Sequence, residues 1–549
     1  MYQFICLLLL GLFTQSLAFG LELGILHTND MHGFLERSVR HPELGGYASV
    51  KGLMDSEKGL FEKSQMPYLV LDGGDFLEGA IFYLPERGRL LFSLMNEMQY
   101  DAVAVGNHDW LMGASDLDFL LTETPPKFSL LSANLKIPSS GYMGLKKYIL
   151  PYKIFERGGL KIAIIGLSTD ESYYKWRFSP VKVRKPLKVA VKLSKQLKKN
   201  GVDFVIALTH LGVAVDADLA RDTSDIDMIV GAHSHTALLE PFLVKNKVGR
   251  TVPIVQAGSH GEFLGRVVLE LQKGKPLQLK TYKLIPVENG VAPDAKIGHM
   301  VDSCRQAVDR LYGADKLHEV VGRSEIALEN SDRHLTTWNA VLADATREAI
   351  DADFAVHAAN FAGPSLPAGN LTRELLFQAY PRVFNMNEVL GWHVYRVKMY
   401  GAIVHLLLDF FLKGDQGMTL SGVSFDRIIK KNGKVVIRNI KVQGQKLRPF
   451  SSYTIALPEG VIKGGIGITS LVEYFLKFSE KTEVPIWWAV IRKIVREKVI
   501  TGDYLVKKKW TTGGNGDNKS VHEKRLIPMD YSFIPRKESA SSAFAPRGH

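Results

Sequence analysis

Residues Tyr100–Asp109 read YDAVAVGNHD. The apolar run from Ala102 to Val105 has the composition of a β-strand and stops at Gly106. An amide, an imidazole and a carboxylate follow at once as Asn107, His108 and Asp109. Four other segments repeat the pattern. Leu23–Gly33 (LGILHTNDMHG) brings Asp30 and His32 after an apolar run, and Tyr68–Gly79 (YLVLDGGDFLEG) brings Asp75. Phe204–Gly212 (FVIALTHLG) ends in His210, and Ile226–Thr236 (IDMIVGAHSHT) carries His233 and His235. In open α/β sheets, ligands collect beyond the carboxyl ends of the strands. One histidine after a strand is ordinarily a packing residue. Five strand ends carrying Asp, Asn and His in chain order point instead to a common site.

The donor types define its chemistry. Asp30 and His32 are two apart, so an extended backbone would aim both the same way, and His233 and His235 repeat the spacing. Asp75 follows two glycines, and a carboxylate there could bridge two cations. Asn107 adds a neutral oxygen. Imidazole and carboxylate without thiolate suit Zn, Mn, Co or Fe better than Ca. The donors suffice for two divalent metal ions. Such a pair, about 3.5–4 Å apart, activates a hydroxide and clamps the oxygens of an in-line displacement. Phosphate ester hydrolysis is the reaction this serves.

At 549 residues the chain is too long for one ordinary core, so two or more domains are expected. A hydrophobic content of 46% with 23% charged residues is that of a globular protein. Met1–Ala18 is an apolar run closed by Ser16-Leu17-Ala18, a small-x-small pattern, and is read as a signal peptide. It is too short to span a bilayer comfortably, and no later segment is apolar enough to be a transmembrane span. Export to the periplasm or the extracellular space is therefore expected. Cys6 lies in that segment, which leaves Cys304 alone and no intrachain disulfide. The formal charge of +12 could attract nucleic acid, anionic lipid or phosphorylated substrates, and a solvated basic face is the simpler reading of each basic run. The basic runs at 182–199 and 507–509 lack interleaved aromatics, so no specific nucleic-acid partner is expected.

Apolar runs alternate with helical patterns over residues 20–290, which predicts an α/β domain. Strands are expected near 21–27, 68–72, 101–105, 161–167, 203–208, 226–231, 253–256 and 265–271, with helices near 44–57, 88–98, 114–122 and 186–199. The turn-rich 286–293 segment marks a boundary. The expected division is a signal peptide at 1–18, a catalytic domain at 19–290, a linker helix at 291–317, an α+β domain at 318–505 and a flexible basic tail at 506–549.

The five strand-end blocks resemble the signature blocks of calcineurin-like metallophosphoesterases. Within these, the chain is most similar to the 5'-nucleotidase and UDP-sugar hydrolase family, over residues 21–470. The resemblance implies a four-layer α/β metallophosphoesterase sandwich, a linker helix and a smaller α+β substrate-binding domain. It implies that Asp30, His32, Asp75 and His235 hold one metal, and that Asp75, Asn107, His210 and His233 hold the other. It gives His108 contact with the phosphate and a part in the departure of the leaving group. An aspartate that pairs with this histidine in the family is here replaced by Leu111, so His108 is expected to lack an orienting carboxylate and turnover to be reduced. In the second domain the resemblance makes Arg333, Asn360 and Phe384 substrate-binding residues. The 357–372 turn lacks the family's phosphate-binding arginine, and Gly460 stands near the place of its second base-stacking aromatic. The function implied is that of an exported phosphohydrolase acting on a nucleotide or another small phosphate ester by attack of a metal-activated hydroxide. The competing readings are a phosphatase for a non-nucleotide ester, and a secreted metal-containing binding protein of weak or no activity.

Overall fold

The computed structural model describes residues 20–508, 510 and 514–515, apart from 111–112, 172–173, 332–333, 383–389, 414–417, 430–434 and 464–476. The signal segment, most of the tail and three singled-out residues, Leu111, Arg333 and Phe384, lie outside the described residues.

The first half is built on two sheets. In the seven-stranded one, Leu21–Thr28, Tyr68–Asp72 and Ala102–Ala104 run parallel at the centre. In the six-stranded one, Leu160–Ser168, Phe204–His210 and Met228–Val230 run parallel. These strands are apolar on both faces because both faces are covered. Leu23, Ile25, Leu69, Leu71, Ala102 and Ala104 point inward and meet Ile162, Ile164, Ile206, Leu208, Met228 and Val230 of the other sheet. Alternate residues point outward. Leu26, Val70 and Val103 join the core beneath helices Tyr47–Lys63 and Arg89–Glu97. Ala163, Ile165, Val205 and Ala207 pack with Ala190, Leu197, Ala217 and Ala220 of helices Pro186–Lys199 and Val213–Asp222. The result is the expected four layers. The sheets lie close at Gly166, where a Cβ would lie 2.4 Å from the Leu131 carbonyl.

Register sets the position of the site. Thr28 stands opposite Asp72, Asp72 opposite Val103, and His210 opposite Ser168. All the parallel strands therefore end on one edge, where their loops meet. Several strands are absent from the sequence reading, among them the short Ser129–Leu131 inside the seven-stranded sheet and three at sheet edges. Tyr152–Arg157, Phe242–Lys245 and Gln278–Pro286 are edge strands whose exposed faces blur the apolar pattern.

Helix Ala295–Tyr312, capped by the Asp294 side chain on the Ile297 amide, leads into the second half. There a six-stranded sheet contains Phe354–Ala358, His393–Tyr400 and Ser452–Pro458, and helices Thr337–Ala349 and Ile486–Glu497 cover it. Arg305 on the connecting helix donates to Glu36 on one side and to Glu374 on the other, at 2.8–2.9 Å. Tyr504 and Trp510 both donate to buried Asp344, and Gly514–Asn515 pairs with Leu420–Ser421 at the sheet edge.

Candidate functional site

Asp30, His32 and His235 form one group whose donor atoms all lie within 4.8 Å of each other, and Asp75, His210 and His233 form a second. His32 Nε2 is 3.1 Å from His235 Nε2, and His210 Nε2 is 3.0 Å from Asp75 Oδ2. The same Asp75 oxygen lies 3.8 Å from His32 Nε2, so it stands between the groups. Asp30 Oδ1 is likewise 3.5 Å from His235 and 3.9 Å from both His32 and His210. Asp30, Asp75 and His210 are at most 1% exposed. Burial opposes ionisation of both carboxylates, but the surrounding imidazoles outweigh it and hold Asp30 and Asp75 below the usual carboxylate range. His210 is raised to about 10, since Asp75 and Asp30 outweigh burial and retain its proton. A divalent cation at that place would take over the proton's electrostatic role.

The aiming of these side chains departs from the sequence expectation. Asp30 (φ 52°), His32 (49°), Asp75 (58°), His233 (78°) and His235 (53°) are all left-handed, so extended alternation does not orient them. Single αL residues turn the chain sharply just after each strand. Backbone bonds fix those turns. The Asp30 amide donates to Gly74, the His32 amide to the Asp75 carbonyl, and the His233 amide to the Asp30 carboxylate at 2.9 Å.

Asn107 is 1% exposed, and among the described residues neither polar atom of its amide has a hydrogen-bond partner. A buried amide left so costs free energy unless something else occupies its oxygen. It lines the same cavity as both groups, so the donor set fits a pair of cations with Asn107 as an additional oxygen donor.

His108 does not lack an orienting carboxylate, which corrects the expectation drawn from Leu111. Its Nδ1–H donates to Glu78 Oε2 at 2.6 Å. Glu78 is fully buried and is itself held by Arg177, 2% exposed, which donates to both carboxylate oxygens. The carboxylate comes from a neighbouring loop rather than from the histidine's own block. The pairing fixes the tautomer and leaves Nε2 for the cavity that the ring lines. Burial, with Arg382, His32 and Arg177, holds the imidazole well below its usual pKa despite Asp75. Asp109 serves the loops instead: its carboxylate accepts the amides of Gly106, Asp75, Phe76 and Leu77 at 2.7–3.2 Å.

These groups open onto a cavity of about 760 Å³ between the two halves of the chain. One wall carries Asp75, Asn107, His108, His233 and His235. The facing wall carries Asn360, Phe361, Arg382, Trp392 and Gly460.

Residues 23–237 match the calcineurin-like phosphoesterase family, and residues 315–473 match the 5'-nucleotidase C-terminal domain. The chain belongs to the calcineurin-like phosphoesterases that carry a 5'-nucleotidase C-terminal domain. It is 35% identical over 262 residues to a snake venom 5'-nucleotidase of Gloydius brevicauda, covering 44% of each chain. It is 28% identical over 505 residues to a 5'-nucleotidase of Vibrio cholerae, covering 82% of this chain and 87% of that one. The chain spans about half the length of the venom relatives it matches. The crystal structure of a 5'-nucleotidase precursor from Thermus thermophilus shares the fold with a TM-score of 0.75 at 22% identity, over 87% of this chain and 97% of that one.

Of the expected substrate residues, Asn360 lies exposed at the cavity. Glu78 and Arg177 escaped the sequence reading. Glu78 lies inside the quoted Tyr68–Gly79 block, and an acid among its apolar residues was the available signal. Arg177 had none. Glu171, whose Oε2 is 3.2 Å from His233 Nε2, and His260, whose ring lies tilted against Phe34 at 4.0 Å, also line the cavity and were not singled out as site residues.

Proposed function

We propose that this chain is a metal-dependent phosphoric ester hydrolase of the 5'-nucleotidase type, acting on phosphate esters of nucleotides or related small molecules. The observation that carries the reading is the meeting of two cation-binding triads with His108 in a single cavity. Asp30, His32, Asp75 and His235 hold one ion, and Asp75, Asn107, His210 and His233 the other. Zn, Mn, Co or Fe suits these donors. Such ions activate water and neutralise phosphoryl charge. The chain's own residues do the rest. His108 Nε2, the bare nitrogen of the ring, takes up the proton released by the attacking water and passes it to the departing oxygen. Glu78 accepts from Nδ1–H, orients the ring and stabilises the imidazolium formed in between, and Arg177 holds Glu78. Burial of the ligand loops excludes bulk water from one wall. Asn360 contributes a polar contact from the other, with Arg333 and Phe384 as further substrate residues.

We place the catalytic domain at 19–290, the connecting segment at 291–317 and the substrate domain at 318–505. Among the described residues no helix is long and apolar enough to cross a membrane, and the Met1–Ala18 segment supports export. The test is phosphate release by the purified chain from AMP, UDP-glucose, 2',3'-cyclic AMP and an aryl phosphate, after chelation and re-addition of Mn, Zn or Co. Metal-restored release is expected. A protein that binds no divalent ion, or releases no phosphate when loaded, would defeat the reading.

A further inference from the structure

The cavity wall opposite the metal-ligand loops differs from the two-ring base sandwich that the family resemblance implies. Gly460, near the place of one ring, is confined by Trp392. A Cβ on Gly460 would lie 2.3 Å from Cη2 and 2.4 Å from Cζ3 of the indole. Both distances are below any real Cβ contact, so no aromatic fits at 460 while Trp392 stands there. The indole is 2% exposed, edge-on to Phe361 at 5.7 Å and tilted against Tyr380 at 6.2 Å. The guanidinium of Arg382 lies over its face, with Cζ 5.8 Å from the ring centroid. The indole therefore serves as a platform for a cation. The surface a nucleobase would stack on is covered.

Arg382 is half-buried and lines the cavity across from His108. Among the described residues no carboxylate pairs with it. The other cavity arginines are engaged, Arg40 with Glu262 and Arg177 with Glu78. A partly buried cation without a counter-ion, facing a cavity, is arranged to receive an anion. The phosphoryl group under attack is already provided for by two cations and His108 on the other wall.

We propose that Arg382, seated on Trp392, binds a second anionic group of the substrate. The site then selects phosphate esters whose leaving portion itself carries a carboxylate or phosphate, rather than esters recognised by a stacked base. This rests on the reading of the cavity as a phosphoesterase site and narrows its substrate class.

The test does not need turnover. Binding of phenylphosphonate and 4-carboxyphenylphosphonate to the Mn-loaded full chain is measured by calorimetry, for the natural sequence and for Arg382→Ala and Arg382→Lys. Metal content and melting temperature are measured alongside. The natural chain should bind the carboxylated probe at least about tenfold more tightly. Arg382→Ala should collapse that ratio to below about twofold, and Arg382→Lys should keep part of it. A ratio near one in the natural chain overturns the proposal. So does Arg382→Ala if it weakens both probes together, because Arg382 would then serve the phosphoryl group. Phosphate release from phenyl phosphate, assayed separately, decides whether the phosphoesterase reading itself fails.

Discussion

Glu78→Gln is the substitution that asks most of the site. It keeps the shape of the side chain and removes the charge facing His108 Nδ1 at 2.6 Å. A hydrogen bond to a charged group contributes roughly 1.5–3 kcal/mol. If that bond stabilises the imidazolium that protonates the leaving group, the loss appears in the barrier. At about 1.4 kcal/mol per factor of ten, kcat should fall by about 10- to 150-fold. The fall should depend on the leaving group. An alkyl ester such as AMP needs a proton on its departing oxygen, whereas p-nitrophenolate leaves without one. The expected result is a large loss of kcat on AMP and little change on p-nitrophenyl phosphate, with KM for both nearly unchanged. Glu78 also faces buried Arg177, and breaking one side of a buried pair costs about 3–5 kcal/mol. The double variant Glu78→Gln/Arg177→Met removes both charges and separates folding from chemistry. Bound metal and melting temperature should be recorded for each. Equal slowing on both esters, or no slowing on AMP, would refute the idea that Glu78 acts through His108.

Other expectations concern metals, domains, packing and the single thiol. Asp75→Asn removes the carboxylate oxygen between the two triads, so bound divalent ion measured by plasma spectrometry should drop by at least one equivalent, and Mn should raise the melting temperature less. Arg305→Ala breaks the link from the connecting helix to Glu36 and Glu374; KM should rise more than kcat falls, and small-angle scattering should show a broader distribution of interdomain distances. Gly166→Ala puts a Cβ 2.4 Å from the Leu131 carbonyl and should destabilise by about 1–3 kcal/mol in urea titrations. Burial raises the Cys304 thiol to about 12, so it stays protonated up to and beyond pH 8. It should resist a thiol reagent at pH 8 in the folded protein and react fully in denaturant.

The strand ends were legible because chemistry and periodicity coincide there. A buried parallel strand is a run of apolar residues, and a polar residue just past its end has few structural reasons to be Asp or His. That logic located both triads. It could not supply Glu78, whose partner lies thirty residues on and is reached only through a loop. Nor could it foresee that left-handed residues, rather than strand alternation, turn Asp30 and His235 toward each other, because φ at one residue leaves no periodic trace. The flanking strands were lost for a related reason: an exposed edge strand such as Phe242–Lys245 carries little pattern. In the second half, Gly460 drew notice as a gap in a family block. Its partner Trp392 sits 68 residues earlier in the chain, and nothing local joins the two.

The left-handed backbone at five of the proposed metal ligands has an evolutionary consequence. A residue other than glycine, asparagine or aspartate in that conformation costs roughly 1–2 kcal/mol. A lineage that no longer needed cations would gain stability by drifting to glycine or asparagine at His32, His233 and His235. Sequences descended from this one therefore carry a readable gauge, since loss of function should show first as relaxation at those bends, before the surrounding core changes.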